Sequence, residues 1–278
     1  MKRIAIAQDT LNILKAGYYQ SSSGERVDMT LALRGCLEGT QYYEPEQLST
    51  IHNQVLTEPG EFYEPKFEVK NETTLEGAER LAKLRQFKRI GVLNFASAKN
   101  AGGGFLNGAQ AQEESLARTS ALYPSLLKCP AYYEFHRQAR SLLYSDRIIY
   151  SPNCPVFRKD DGTLLERPYQ VDFITSPAPN AGAIRKSQPQ EVPKIPETLY
   201  QRGAKVLSLA AYHQCDALVL GAWGCGVFRN DPALVAQMFG DYLLPKGQFW
   251  GKFKSILFSV LDTRSNLKII TEFQARFS

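Results

Sequence analysis

Two adjacent acids, Glu113 and Glu114, follow a run of three glycines, Gly102, Gly103 and Gly104, across a short polar spacer. A carboxyl group that keeps its proton near neutral pH serves as a general acid, and one that has lost it serves as a general base. From Gln112 onward the residues suit a helix, so the acids fall in a first helical turn, where the macrodipole favours the ionised form. Burial, or a bound phosphate, pushes the other way and retains the proton. Neighbouring helical residues point about 100° apart, so the two carboxyls cannot face one atom. One enters a site while the other braces the loop or faces solvent. Acids in a first turn are also ordinary helix stabilisers, and the glycines lift this pair above that reading. Glycine takes positive φ without steric cost and brings bare backbone close to a ligand. Three of them before a helix start make a loop whose N–H groups can converge on an anion.

A second loop has the same construction. Asp216-Ala217-Leu218-Val219-Leu220 reads as a buried strand running into GAWGCGVFRNDP, with Gly221, Gly224 and Gly226 freeing the backbone. Asn230-Asp231-Pro232 reads as a cap and then a proline at a helix start. That helix continues through Leu234, Val235, Met238 and Phe239. Neither loop is a standard nucleotide motif. A GxGxxG starting at Gly224 would need glycine where Arg229 stands, and one starting at Gly102 would need it at Asn107; a GK[ST] is missing too. Cys225 lacks an activating base in the motif and reads as a small residue in a tight turn.

The segment GGGFLNGAQAQEES resembles the signature of the poly(ADP-ribose) glycohydrolases: a glycine triplet, a spacer, then Gln112, Glu113 and Glu114. The flanking NFASAKN and SLARTSALYPSL, with TQYYEPEQL and SPNCPVFRKDDGTLL elsewhere, are similar to the compact bacterial-type members. The resemblance implies an α/β, macrodomain-like mixed sheet flanked by helices that binds ADP-ribose, with an N-terminal helical extension. It implies hydrolysis of ribose–ribose O-glycosidic bonds in poly(ADP-ribose), with ADP-ribose as product and neither metal nor cofactor. Glu114 would protonate the leaving ribose oxygen and then deprotonate the attacking water. Glu113 would orient the ribose, Gln112 would complete the signature at the substrate, and Gly102, Gly103 and Gly104 would hold ribose and phosphates. Asn100 would reach the distal ribose, with Ser97 as its rival. The backbone amides of Gly224, Cys225, Gly226, Val227 and Phe228 would grip the diphosphate, and Phe228 would pack on the distal ribose, unless it simply anchors the following helix. Two alternatives share the site: removal of a single ADP-ribose from a protein or nucleic acid, and a module that reads ADP-ribose without cleaving it. The intact acid pair argues against a reader, which needs no proton donor.

The elements that must position these residues alternate. Arg3 to Leu14 has helical spacing, and Val27 to Leu33 fits a strand or a helix start equally. Residues 1–71 read as an extension packed on a core of residues 72–278. Thr73-Thr74-Leu75-Glu76 fits a capping box, followed by an apolar helical face to Phe87 and a strand over Ile90–Phe95. Tyr123-Pro124 reads as a stop, Cys129 to Leu143 as a further helix, and Asp160-Asp161-Gly162 as a hairpin turn between two strands. Pro177 to Pro196, with five prolines, reads as a long solvated loop, either flanking the site or a mobile insertion. Pro196 to Gln214 reads as a helix, and Ser255–Leu261 as a last strand before a short polar tail. His52, His136 and His213 lie outside any nucleophile–base pattern.

At 278 residues, with 44% hydrophobic and 22% charged content, the chain suits one large globular unit. A net charge of +5 favours a polyanionic substrate only as a weak steering term. Five scattered cysteines without a CxxC pair suggest reduced thiols. No signal peptide or membrane-spanning run is evident, and the expectation is a cytoplasmic protein, with a monomer favoured.

Overall fold

Short runs of aliphatic residues build the centre of the molecule. The computed structural model describes residues 2–58 and 60–278. Its first part runs α1 (Lys2–Ala16), β1 (Tyr18–Gln20), β2 (Arg26–Asp28), α2 (Thr30–Gly39), β3 (Gln41–Tyr43), α3 (Pro45–Thr57) and β4 (Lys66–Lys70). Then come α4 (Thr74–Leu84), β5 (Ile90–Phe95), α5 (Gln112–Thr119), α6 (Leu122–Leu127), α7 (Pro130–Gln138), β6 (Ile148–Arg158) and β7 (Leu164–Ser176). The last part holds α8 (Ala181–Ser187), α9 (Ile195–Tyr212), β8 (Ala217–Leu220), α10 (Pro232–Leu243), β9 (Ser255–Ser259) and α11 (Lys268–Phe277).

Seven strands form one mixed sheet in the order β3-β6-β7-β5-β8-β9-β4, and β1 and β2 make a separate hairpin. From β7 to β4 the pairing is parallel, whereas β3, β6 and β7 are antiparallel. Successive strand residues point to opposite faces, which sorts the apolar side chains into two cores. Leu93, Leu218, Leu220, Ile256 and Phe258 pack with α3, α9, α10 and α11. Val92, Val219, Leu257 and Phe173 pack with α2, α4, α5, α6 and α7. The result is a mixed sheet with helices on both faces, an architecture suited to strands as continuously apolar as these.

Local signals explain several boundaries. Thr73 and Glu76 exchange both bonds of a capping box at the start of α4, at 3.1 and 2.8 Å. Asp231 caps α10 by accepting from the Ala233 N–H at 3.1 Å, with Pro232 in the first turn. The β6–β7 turn falls at Asp160–Gly162, where Gly162 has φ +97°.

Four features depart from the sequence reading. Pro177 to Pro196 is not one loop: α8 and a 3-10 turn at Pro189–Lys194 occupy most of it. Asn180 caps α8, accepting from Ala183 N–H at 3.1 Å, and Ala181 and Ile184 are fully buried. The tail is not polar throughout; α11 buries Ile269, Ile270, Phe273 and Phe277. Pro124 does not stop the chain, because it sits in the first turn of α6, where its missing N–H costs nothing. Finally, β3 and β4 come from residues 1–71 and form the two edges of the sheet, so the sheet crosses the boundary expected after Asn71.

Beneath the sheet's centre, the buried Asp172 of β7 accepts from Arg89 Nη1 at 3.0 Å, the Tyr150 hydroxyl at 2.5 Å and the Asn153 N–H at 2.6 Å. This ties the start of β5 to β6 and β7.

Candidate active site

The two glycine loops leave the carboxyl ends of β5 and β8, which are hydrogen-bonded neighbours in parallel register, with Val92 opposite Val219. Crevices beyond the carboxyl ends of parallel strands are where open α/β sheets place ligands. Here the loops line a single cavity of about 950 Å³, within the range of pockets that enclose nucleotide-sized ligands.

In the first loop the glycine triplet wraps the acid pair. Gly102 and Gly103 have φ +68° and +59°, the left-handed region that disfavours side chains. A Cβ on Gly103 would collide with the Glu114 carboxylate, whose Oε1 and Cδ it meets, the latter at 2.8 Å. The freed space lets the Gly104 N–H donate to Glu114 Oε1 at 3.0 Å. Glu114 is half-buried and lines the cavity.

Glu113 is buried, at 3% exposure. Its Oε2 accepts from the Ser97 N–H at 2.7 Å and its Oε1 from Asn94 Nδ2 at 3.3 Å. Burial pushes its pKa up to about 8; the Ser97 and Asn94 donors oppose the shift, and the Glu114 charge adds to it. Glu113 is therefore mainly protonated near pH 7. Gln112 accepts from the Phe95 N–H at 2.8 Å and donates to Leu93 O at 2.7 Å and Thr74 Oγ1 at 3.2 Å. Its amide is used to fasten the start of α5 to the end of β5.

The spacer is held from behind by α1. Ala7, Phe105 and Ala117 form a small core of their own. Buried Thr10 donates to Arg118 O at 2.5 Å, and Arg118 donates to Ala109 O at 2.7 Å. Residues far from the acids in sequence thereby fix the loop that carries them.

In the second loop, Gly224 has φ +71°, and a Cβ there would approach Ala178 Cβ at 2.5 Å. Asn230, buried, ties the loop down through Nδ2 to Pro179 O at 2.8 Å and to Gly224 O at 3.2 Å. The Cys225 N–H donates to Ala222 O at 3.0 Å and the Arg229 N–H to Gly226 O at 3.1 Å. Among the described residues, the N–H groups of Gly224, Gly226, Val227 and Phe228 find no protein acceptor, so four donors remain for an anion at the cavity wall. Cys225 differs from its neighbours: its N–H is engaged, its side chain is in the core, and burial pushes its thiol pKa up.

Asn100 and Ser97 both line the cavity; the Ser97 hydroxyl accepts from the Asn100 N–H at 3.2 Å. Phe228 lines it too, while also packing on the large core. Two cavity or support residues escaped the sequence reading. Asn94 holds Glu113 from within β5, and a polar residue in an otherwise apolar strand was the available signal. Tyr144 lines the cavity with its ring centroid 6.0 Å from that of Phe228. Its φ of +60° is rare for a bulky residue and leaves no mark in sequence. The histidines are engaged structurally: His213 stacks on Tyr150 at 3.6 Å, His52 bonds Ser208 at 2.8 Å, and His136 bonds Tyr132 O at 2.8 Å. Among the described residues no cluster of three or more His, Cys, Asp or Glu side chains is arranged around a metal position, and no helix is long and apolar enough to cross a membrane.

Residues 7–159 match the family model described as microbial-type PARG, catalytic domain. Poly(ADP-ribose) glycohydrolase (PARG) from Thermomonospora curvata is 46% identical over 99% of both chains, with a TM-score of 0.95. The chain belongs to the microbial-type PARG family. A second Thermomonospora curvata PARG structure, bound to the inhibitor ADP-HPD, superposes with a TM-score of 0.92 at the same identity and coverage. PARG from Deinococcus radiodurans in complex with ADP-ribose is 44% identical over 88% of this chain and 97% of that one, with a TM-score of 0.83. No curated protein matches the chain. The mixed sheet flanked by helices is thus the bacterial PARG fold, and the GGG…QEE segment lies inside the matched PARG catalytic domain.

Proposed function

We propose that the chain hydrolyses the ribose–ribose O-glycosidic bonds of poly(ADP-ribose), free or on modified proteins, and releases ADP-ribose, with Glu114 as general acid and then general base. The observation that carries this reading is the pairing, in one cavity, of a half-buried Glu114 held by the Gly104 N–H with four acceptor-free N–H groups on the neighbouring loop. The diphosphate docks on Gly224, Gly226, Val227 and Phe228, with Cys225 shaping the turn from the core. Asn100 and Phe228 take the distal ribose, and Gly102 to Gly104 pass close to the reacting sugar.

Cleavage passes through an oxocarbenium-like state. Glu114 gives its proton to the departing ribose oxygen, then takes one from the attacking water. The negative diphosphate stabilises the positive charge that develops on the sugar. Glu113, fixed by the Ser97 N–H and Asn94 Nδ2 at the cavity wall, hydrogen-bonds a ribose hydroxyl and orients the ring. Its raised pKa follows from burial among protein donors, and its oxygens are turned to those donors, so it positions substrate while Glu114 moves the proton. Gln112 acts one step back, by fastening both acids to β5. None of these steps calls on a metal or cofactor.

A macrodomain-type sheet, a cytoplasmic setting and a monomer complete the reading. The five free, buried cysteines fit a reducing compartment, and one chain supplies both glycine loops and the acid pair of the cavity. The deciding experiment incubates the native protein and Glu114→Gln with poly(ADP-ribose) and separates the products by chromatography. Native protein should release ADP-ribose; Glu114→Gln should lose at least about 100-fold in turnover while ADP-ribose affinity, measured by calorimetry, stays within a few-fold. Equal loss of turnover and binding would remove Glu114 from the proton-transfer role.

A further inference from the structure

Each glycine loop is braced from outside the cavity by an arginine of a neighbouring helix. Arg137, at the end of α7, donates from Nη1 to Lys99 O in the first loop at 3.2 Å. Arg185, on α8, donates from Nη1 to Arg229 O in the second loop at 3.0 Å. Both side chains are exposed, as are Arg140 and Arg229. None of these four arginines forms a salt bridge among the described residues. A guanidinium carries five N–H donors, so each brace leaves most of its fork free.

The ground between the two braces is continuous. Gln188, just past α8, accepts from the Leu142 N–H at 3.0 Å and donates to Arg140 O at 2.8 Å, and the Asn180 N–H donates to Leu142 O at 2.9 Å. The segment after α7 is thereby fastened to α8, so that Arg137 and Arg140 belong to one stretch of chain and Arg185 to the helix tied to it. Lys99, which lines the cavity, extends the positive charge inward. The acids of the cavity lining other than the Glu113–Glu114 pair lie elsewhere, at the α4 end: Glu72 beside the α4 cap, and Asp160, which accepts from Thr73 Oγ1 at 2.6 Å. Exposed Glu134, one turn before Arg137, and exposed Asp231, two residues after Arg229, are the acids nearest the arginines along the chain, and neither lines the cavity.

A cavity of about 950 Å³ encloses a ligand of one ADP-ribose unit. Every unit of the polymer carries a diphosphate, so the next diphosphate must lie outside. Forked guanidinium donors suit phosphate oxygens, and acids at the other end turn a polyanion away. We propose that the α7–α8 rim is a second binding surface for the substrate, on which Arg137 and Arg185 hold the diphosphate of the ADP-ribose unit next to the one in the cavity. This rests on the glycohydrolase reading and adds to it a preference for polymer over single units.

The test compares native protein with the double variant carrying Arg137→Gln and Arg185→Gln, using long-chain poly(ADP-ribose) for kinetics and ADP-ribose for calorimetry. The KM for polymer should rise about tenfold at low salt for two lost phosphate contacts, and its dependence on salt should flatten. Saturated kcat and the Kd for ADP-ribose register only the lost loop braces and should each change severalfold less than the polymer KM. The Arg137→Lys, Arg185→Lys variant keeps the charge and should bring KM back to within about threefold. A polymer KM that stays at the native value overturns the rim. So does a KM that rises in step with the Kd for ADP-ribose, because that pattern means the arginines only brace the loops. If the native protein leaves the polymer intact, the glycohydrolase reading itself fails, a result distinct from either of those.

Discussion

Gly103 shows how little room the acid pair has. At φ +59°, with a Cβ falling on the Glu114 carboxylate, any side chain there must displace Glu114 or unwind the loop. Gly103→Ala should therefore cut turnover about 100-fold, as a misplacement of about 1 Å does, and lower Tm as well. Gly226→Ala, where a Cβ meets nothing within 4 Å, should melt with the native protein. Parallel melting and turnover assays check both. Glu113 makes a prediction of a different kind. Its pKa rises from 4.5 to about 8 because burial disfavours the charge. The folded state thus binds a proton that the unfolded state has lost between those values, so Glu113's contribution to stability is complete below about pH 4.5 and is lost as pH rises through 8. Glu113→Gln has no proton to lose. Melting curves at several pH values should show its Tm gaining on that of the native protein from pH 5 to pH 8; parallel pH profiles would mean Glu113 stays ionised in the fold. The spacing of glycines and acids was legible because the chemistry is local to one segment. Which acid is buried was not, since Asn94 and Ser97 reach Glu113 only once β5 and α5 are packed.

Among the elements, α1 and α11 are opposite cases. The helical spacing from Arg3 to Leu14 was visible in sequence, and α1 forms there. What it does was not visible: through Ala7, Thr10 and the Arg118 contacts it backs the spacer between glycines and acids. The last helix was misread as a tail. It is short, Leu267 at its start offers no side-chain cap, and the Asp262 carboxylate that accepts from Ile269 and Ile270 N–H comes from several residues back; isolated helices of this length are marginal. Packing on α10 and β4 supplies what the local sequence lacks, with Phe273 fully buried and its ring tilted against that of Phe258 at 5.4 Å between centroids. Phe273→Ala should cost about 3–5 kcal/mol. Urea denaturation should show a lower midpoint at an unchanged m-value, and a loss under 1 kcal/mol would show α11 to be dispensable to the core. The region from Pro177 to Pro196 was misread for a related reason: its prolines sit near helix starts, positions that composition alone cannot tell from loop.

At the scale of the whole molecule, pairing between distant strands decides what local pattern cannot. β5 and β8 lie far apart in the chain yet become neighbours, which is why two separately readable loops share one cavity. β3 and β4, drawn from what read as an appended extension, close the sheet at both edges; three to five residues each are too few to announce a strand by alternation. The basic rim likewise unites α7, α8 and the two loops only after folding. By itself the sequence determined the α/β alternation, the two glycine loops, the acid pair and the family, because backbone freedom, caps and apolar runs act over a few residues. The tertiary structure alone decided the order of the strands, the burial that raises the Glu113 pKa, the four N–H groups left without acceptors and the place of the remaining lining acids at the α4 end of the cavity. Each of these depends on contacts between residues far apart in sequence, where solvent exclusion and register, unlike local propensity, exist only in the packed chain.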